Sequence, residues 1–252
     1  MAHAPLSILP VKEVKLKLEG PRIFFTIPIF GGININETII NLFIVSGLLL
    51  VLSLVLTHKM EKIPRKKTQI LAEKIVLMID NLVENTMGKQ YMKFAPYIMA
   101  LFASSLCGSL IGVLGFRSTT MDINTTLCWA LVTCVMLHYV GFRTSGFTGY
   151  LKSFTEPVPF LLPINLIGIV STPMALSVRH FGNIVGGSII MSLLYTGLGS
   201  LSSMLHLPIP ILEVGIPAIL SLYLDLFSGF MQAFIFCMLT MVYISNNGPE
   251  DA

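Results

Sequence analysis

A single cation stands midway through a long apolar stretch of this chain. Arg179 is the only Asp, Glu, Lys or Arg between Glu156 and Glu213. A guanidinium keeps its proton in a protein, so burial cannot neutralise it. At the centre of a bilayer such a charge costs about 2.5–3.5 kcal/mol on insertion scales, and an intramembrane ionisable residue is by default a group on an ion pathway. At helical spacing Asn183 follows Arg179 by one turn, and Gly186 and Gly187 follow it by about two. Gly182 and Gly186 form a small-xxx-small pair, which lets another helix come close. Glycines alone mostly pack helices. A fixed charge, an amide and glycines on one face suggest a surface on which a second helix slides past a charge.

A second set of polar residues lies near the C-terminus. Asp225 and Gln232 are seven residues apart, and Tyr243 is eleven beyond Gln232. On a regular helix these spacings bring all three to nearly one azimuth, with Ser228 beside them. A lone intramembrane glutamine is accounted for by an interhelical hydrogen bond, worth about 0.6–2 kcal/mol. A carboxylate is harder to explain away, because it needs a partner, water or protonation.

These residues must be positioned by membrane helices. The chain has 252 residues, 54% of them hydrophobic and only 12% charged. Its mean hydropathy is +0.81. A soluble domain carries about 25% charged residues, so this chain has too little polar surface to cover itself in water. Apolar runs predict spans near 38–57, 95–115, 124–141, 160–205 and 215–245. The last two exceed one bilayer thickness and imply tilt. Pro163 and Pro173 predict a helix start or a kink in the fourth span. Residues 68–93 alternate apolar and charged positions at helical spacing, which predicts an amphipathic helix on the inner membrane surface or a docking face for another subunit. Val11–Leu18 alternate with a two-residue period, which predicts a short strand.

The fold class is therefore all-α integral membrane, one polytopic domain over residues 1–252. It has an outer N-terminal segment at 1–37, an inner basic loop and amphipathic helix at 58–94, and a helical hairpin at 160–245. With the N-terminus outside, five Lys and Arg fall in outer segments and ten in inner ones. The positive-inside rule favours that orientation, with the C-terminus inside. Residues 23–30 are apolar but too short for a signal peptide with a clear cleavage site. The formal charge of +3 is small and dispersed, which gives no reason to expect nucleic acid. Cys107, Cys128, Cys134 and Cys237 lie in apolar runs without metal-ligand spacing, so neither a metal nor a cofactor is expected.

The motifs resemble those of subunit a of the membrane sector of rotary F-type ATP synthases. Ser177-Val178-Arg179-His180-Phe181-Gly182-Asn183 is similar to that family's Ser-Leu-Arg-Leu-Phe-Gly-Asn signature. Met121-Asp122-Ile123-Asn124-Thr125-Thr126-Leu127 is similar to its Ala-Asp-Leu-Asn-Thr-Thr-Leu stretch. Gln232-Ala233-Phe234-Ile235-Phe236 and Leu239-Thr240-Met241-Val242-Tyr243 are similar to its last helix. Gly146-Phe147-Thr148 and Pro163-Ile164-Asn165-Leu166 fit as well, and the order of motifs agrees over 121–243.

The resemblance implies the stator half of an ion turbine in a bacterial plasma membrane, facing a rotor ring of small helical-hairpin subunits. A peripheral-stalk subunit, other ATP synthase subunits and membrane lipids are its implied partners. Arg179 is then the essential arginine between two aqueous half-channels that carry protons to and from rotor-ring carboxylates, Gln232 lies opposite it, and Asn183 lines the same interface with Gly182, Gly186 and Gly187. Nothing resembles a phosphate-binding loop, so ATP chemistry belongs to partner subunits.

Three departures follow. His180 stands where the signature has leucine, as a titratable neighbour or a packed histidine. Relatives often carry glutamate at the position of Ser188, so the titratable role passes to Asp225. They also carry glutamate where this chain reads Gly168-Ile169, so water and hydroxyls must serve the inner half-channel. Asp122 and Glu213 either line the outer entrance or cap helices. A secondary transporter remains an alternative, although no internal repeat is visible. So does a structural membrane subunit in which Arg179 pairs with Asp225.

Overall fold

The computed structural model describes residues 22–28, 33–64, 66–155, 158–205, 215, 217 and 219–247. Five of its helices are long and apolar enough to cross a membrane, at Glu37–Leu56, Lys89–Leu114, Ile123–Ser153, Leu162–Ser202 and Ile219–Ser245. Each coincides with one of the apolar runs. Large apolar side chains such as Phe43, Leu54, Val135, Ile167 and Val170 are exposed on their outer faces. That surface suits a lipid solvent.

A short antiparallel hairpin precedes the helices. Strand β1 (Ile23–Ile27) pairs with β2 (Ile33–Asn36), with Thr26 opposite Asn34 and Ile27 opposite Ile33. The apolar segment 23–30 was not expected to form a strand pair. The strand expected at Val11–Leu18 lies outside the described residues.

Helix α1 (Glu37–Leu56) is apolar nearly all round, with Glu37 in its first turn where the helix dipole favours an anion. It buries only Thr38, Asn41 and Val45, and the Asn41 amide donates to the Arg117 carbonyl at 2.8 Å. Helix α2 (Lys67–Met87) ends where Gly88 takes φ 90°. The amphipathic segment expected over 68–93 is thus two elements, α2 and a 3-10 turn at Lys89–Phe94 that leads into α3 (Ala95–Leu110). The α2 stripe Ile79, Val83 and Met87 is buried in the chain's own core, whereas Ile70, Leu71, Leu77 and Met78 are exposed.

Helix α4 (Ile123–Ser153) outruns the span expected at 124–141. Its regular geometry breaks at Gly146, with φ 70° and ψ 169°, a conformation open to glycine. The break turns the chain so that Tyr150 lies over Gly141 and Phe142. Gly141 has to be small: a Cβ there would sit 2.8 Å from Tyr150 Cδ2 and 2.9 Å from Cζ.

Helix α5 (Leu162–Met204) has 43 residues. At 1.5 Å per residue it is about 65 Å long, twice the hydrocarbon thickness, so it must tilt steeply or run beyond the lipid. Pro163 is its second residue and Pro173 lies inside it. Pro173 has no N–H to give the Ile169 carbonyl. The Cys134 thiol approaches that carbonyl at 3.9 Å, and the neighbouring Gly168 carbonyl accepts from Thr172 Oγ1 at 2.9 Å. Side chains thus cover the backbone acceptors around the proline, as a lipid setting demands.

The last span is not one regular α-helix. A π-helical segment, Leu222–Ser228, leads into α6 (Gly229–Ser245). The core lies where α2, α3, α4, α5 and α6 meet, through Val83, Ile98, Ala130, Leu176, Phe236, Met241 and Ile244.

Candidate functional site

Helices α5 and α6 run antiparallel, and two contacts set their register. Asn183 Nδ2 donates to Ser228 Oγ at 2.7 Å, and Ser228 Oγ is 3.0 Å from Asn183 Oδ1. The His180 ring meets Phe236 edge-on at 5.4 Å. This register brings Arg179 to the level of Gln232. Arg179 is exposed, and its guanidinium has no hydrogen bond or ion pair among the described residues. Gly182 and Gly186 share its open side, since a Cβ added to either would meet nothing within 4 Å. Gly187 faces the last span, where an added Cβ would lie 3.9 Å from Leu224 Cβ. Gln232 is 6% exposed, and its Nε2 is buried without a partner among the described residues.

The three residues expected at one azimuth do not share a site. Asp225 lies in the π-helical segment, whose wider turn shifts every residue before Gly229. Its carboxylate accepts from Ser221 Oγ at 3.0 Å. It lines a cavity of about 170 Å³ with Asn183, Gly187, Ser188, Ser118 and Met121. Tyr243, about 27 Å further along the helix axis, lines a different cavity. The buried Arg179–Asp225 pair of the structural alternative is not formed. Asn183 turns toward Ser228 and the last span, not outward beside Arg179.

The second cavity is larger, about 590 Å³, and lies toward the other end of α5. His138, Tyr150, Ser153, Asn165, Thr172, Tyr243 and Asn247 supply its polar lining. Helices α4 and α5 are antiparallel, with Thr126 Oγ1 3.0 Å from Ser177 Oγ and the Cys134 thiol at Ile169. His138 therefore stands at the level of Asn165, about 21 Å along α5 from Arg179. Its Nδ1 is 2.7 Å from the Tyr150 hydroxyl, and its Nε2 is buried without a partner among the described residues. An unsatisfied buried polar group costs about 1–3 kcal/mol.

Between the two cavities is a packed layer. Leu176, His180 and Phe236 are 2%, 0% and 1% exposed. His180 Nε2 is 3.2 Å from Ser105 Oγ, and Trp129 and Phe236 meet its ring edge-on. The structure thus gives His180 the packed position of the two expected for it.

The remaining candidates are dispersed. Asp122 caps α4, its Oδ1 accepting from the Asn124 N–H at 3.0 Å. Ser188 Oγ donates to the Val185 carbonyl at 2.8 Å while lining the Asp225 cavity. Glu213 lies outside the described residues. Sequence reasoning missed His138, Tyr150 and Asn247. A histidine inside the apolar run 124–141 was the available signal.

Residues 39–245 match the family described as ATP synthase A chain. The chain belongs to this family. It is 33% identical to the sodium-ion-specific ATP synthase subunit a of Propionigenium modestum over 91% of its own length and 86% of the relative's. It is also 33% identical to ATP synthase subunit a of Moorella thermoacetica, covering 86% of this chain and 92% of that one. The subunit a of Geobacter sulfurreducens is 32% identical over 80% of this chain and 83% of that one. Membership makes this a multi-pass membrane protein, the ion-channel component of an ATP synthase membrane sector that works with the other ATP synthase subunits. The sequence resemblance and the all-α architecture agree with it.

Proposed function

We propose that this chain is the stator of the rotary ion motor, with the N-terminus outside and the C-terminus in the cytoplasm of a bacterial cell. One observation carries the reading: two polar cavities with separate linings lie on either side of Arg179 along α5, and a packed layer divides them at its level. In this orientation the Asp225 cavity is the outer half-channel and the His138 cavity the inner one.

A rotor ring of helical hairpins, each carrying a carboxylate, moves across the open face made by Arg179, Gly182 and Gly186. The small residues let the hairpin backbone come close. The guanidinium favours the ionised carboxylate, so each passing site gives up its ion there. A cation in the pathway meets that fixed charge and the packed layer, and must ride the rotor rather than cross directly. Gln232, at the level of Arg179, offers its carboxamide oxygen to the guanidinium when the rotor covers this face, a bond not formed among the described residues of the chain alone. Asp225 relays ions in the outer half-channel, with Ser188 and Asn183 as polar lining. Each elementary charge gains about 2.3 kcal/mol per 100 mV, so several transfers must be summed by rotation before ATP can be made elsewhere in the complex. A peripheral-stalk subunit holds the chain against the torque.

The test is Arg179→Ala in inverted vesicles carrying the assembled complex. Loss of ATP-driven ion pumping with normal assembly is the expected result. Coupled pumping at the wild-type rate would remove Arg179 from the mechanism.

A further inference from the structure

The inner half-channel has no obvious relay. Among the described residues no Asp, Glu, Lys or Arg lines the 590 Å³ cavity. Its titratable side chains are His138 and Tyr150 from α4 and Tyr243 from α6; α5 contributes the neutral Asn165 and Thr172. The thiol of Cys134, one turn before His138, is engaged at the Ile169 carbonyl. Of these groups, only a histidine ordinarily changes charge between pH 5 and 8.

Two glycines hold this histidine in place. Gly146, at φ 70°, bends α4 back on itself, and Gly141 leaves room for the returning Tyr150 ring. The ring rests edge-on against Phe142 and Phe154, at 4.6 and 5.0 Å, and its hydroxyl reaches His138 Nδ1 at 2.7 Å. A hydrogen bond at one ring nitrogen sets the state of the other. When Nδ1–H donates to the tyrosine oxygen, the lone pair of the buried and unpartnered Nε2 is left to take a proton.

We propose that His138, positioned by Tyr150, is the proton-relay residue of the inner cavity. This rests on the stator reading above. Nε2 binds a proton from the rotor side, which makes the ring an imidazolium while Nδ1–H keeps its bond to Tyr150. The same nitrogen then releases that proton to water on the cytoplasmic side, and the ring returns to its neutral state. Synthesis and hydrolysis differ only in the side from which the proton comes. A neutral imidazole in this role serves protons, not sodium.

The experiment uses inverted vesicles carrying the whole complex, with ATP-driven proton uptake followed by a pH-sensitive dye and 22Na+ uptake measured in parallel. His138→Gln keeps a polar side chain of similar size but cannot exchange a proton at neutral pH. It is expected to lower proton uptake at least tenfold with assembly unchanged. His138→Ala is expected to regain a severalfold rate when imidazole is added, because the cavity is large enough to admit it. Tyr150→Phe removes only the hydroxyl and is expected to slow uptake severalfold, which keeps a result in hand if both His138 variants fail to assemble. Proton uptake by His138→Gln within twofold of wild type would overturn the proposal. So would His138→Ala activity that imidazole leaves unchanged, which would mark a packing role, or ATP-driven 22Na+ transport that His138→Gln preserves. If Arg179→Ala also pumps normally, the stator reading itself falls. If Arg179→Ala is dead and His138→Gln pumps normally, only the relay falls.

Discussion

Replacing Gly141 and Gly47 by alanine adds one methyl group to a helix in each case, yet the structure gives the two substitutions opposite signs. A Cβ at Gly141 would lie 2.8 Å from Tyr150 Cδ2, where carbon atoms normally keep about 3.5–4.0 Å, so the ring must shift by about 1 Å. It cannot do so without disturbing its 2.7 Å bond to His138 or its contacts with Phe142 and Phe154. Overpacking costs about 1–3 kcal/mol, and the weakened hydrogen bond up to about 1 more. Alanine's conformational advantage in a helix offsets about 0.5–1 kcal/mol. Gly141→Ala should therefore destabilise, by up to about 3.5 kcal/mol. At Gly47, in α1 and away from the face given to the rotor, an added Cβ would meet nothing within 4 Å, so only the advantage remains and the variant should be neutral or about 0.5–1 kcal/mol more stable. Cys237, 1% exposed, provides the assay, because a thiol-reactive dye reaches it only when the core opens. The exposed Cys128 and the half-buried Cys107 and Cys134 are first replaced by serine to remove this chain's background. In a temperature ramp of the solubilised complex, Gly141→Ala should label several degrees earlier than Gly47→Ala. Equal midpoints, or the reverse order, would refute the packing of Tyr150 on Gly141.

Two further perturbations test the contacts that set the register. The Asn183–Ser228 pair should give a coupling of about 0.6 kcal/mol, at most about 1.7, in a double-mutant cycle with Asn183→Ala and Ser228→Ala read by the same thermal labelling; strictly additive effects would mean the pair does not link α5 to the last span. Asp122→Ala should cost about 0.5–2 kcal/mol through loss of the α4 cap, and Asp122→Asn should restore most of it. Equal stability of both variants would show that the carboxyl group caps nothing.

The division between what sequence alone determined and what tertiary structure decided follows the range of the forces. Hydrophobic runs against a lipid solvent are a local property, so all five spans, the isolated Arg179 and its open glycine face could be read along the chain. The family motifs could be read in the same way. Azimuth is not local once the helix geometry changes. A single π-helical segment at Leu222–Ser228 turns Asp225 away from the azimuth of Gln232, because each residue of a wider turn alters the rotation of all those beyond it, whereas Tyr243 is parted from Asp225 by distance along the axis. The fate of His180 was equally hidden: only the meeting of Ser105, Trp129 and Phe236, drawn from three other helices, makes it part of a packed layer. The inner cavity was the least legible. It depends on a backbone break at Gly146 that returns Tyr150 to a histidine twelve residues earlier, and on helix ends of α4, α5 and α6 that come together only in the folded chain. Composition placed the protein in a membrane; packing among the helices decided which polar groups face one another there.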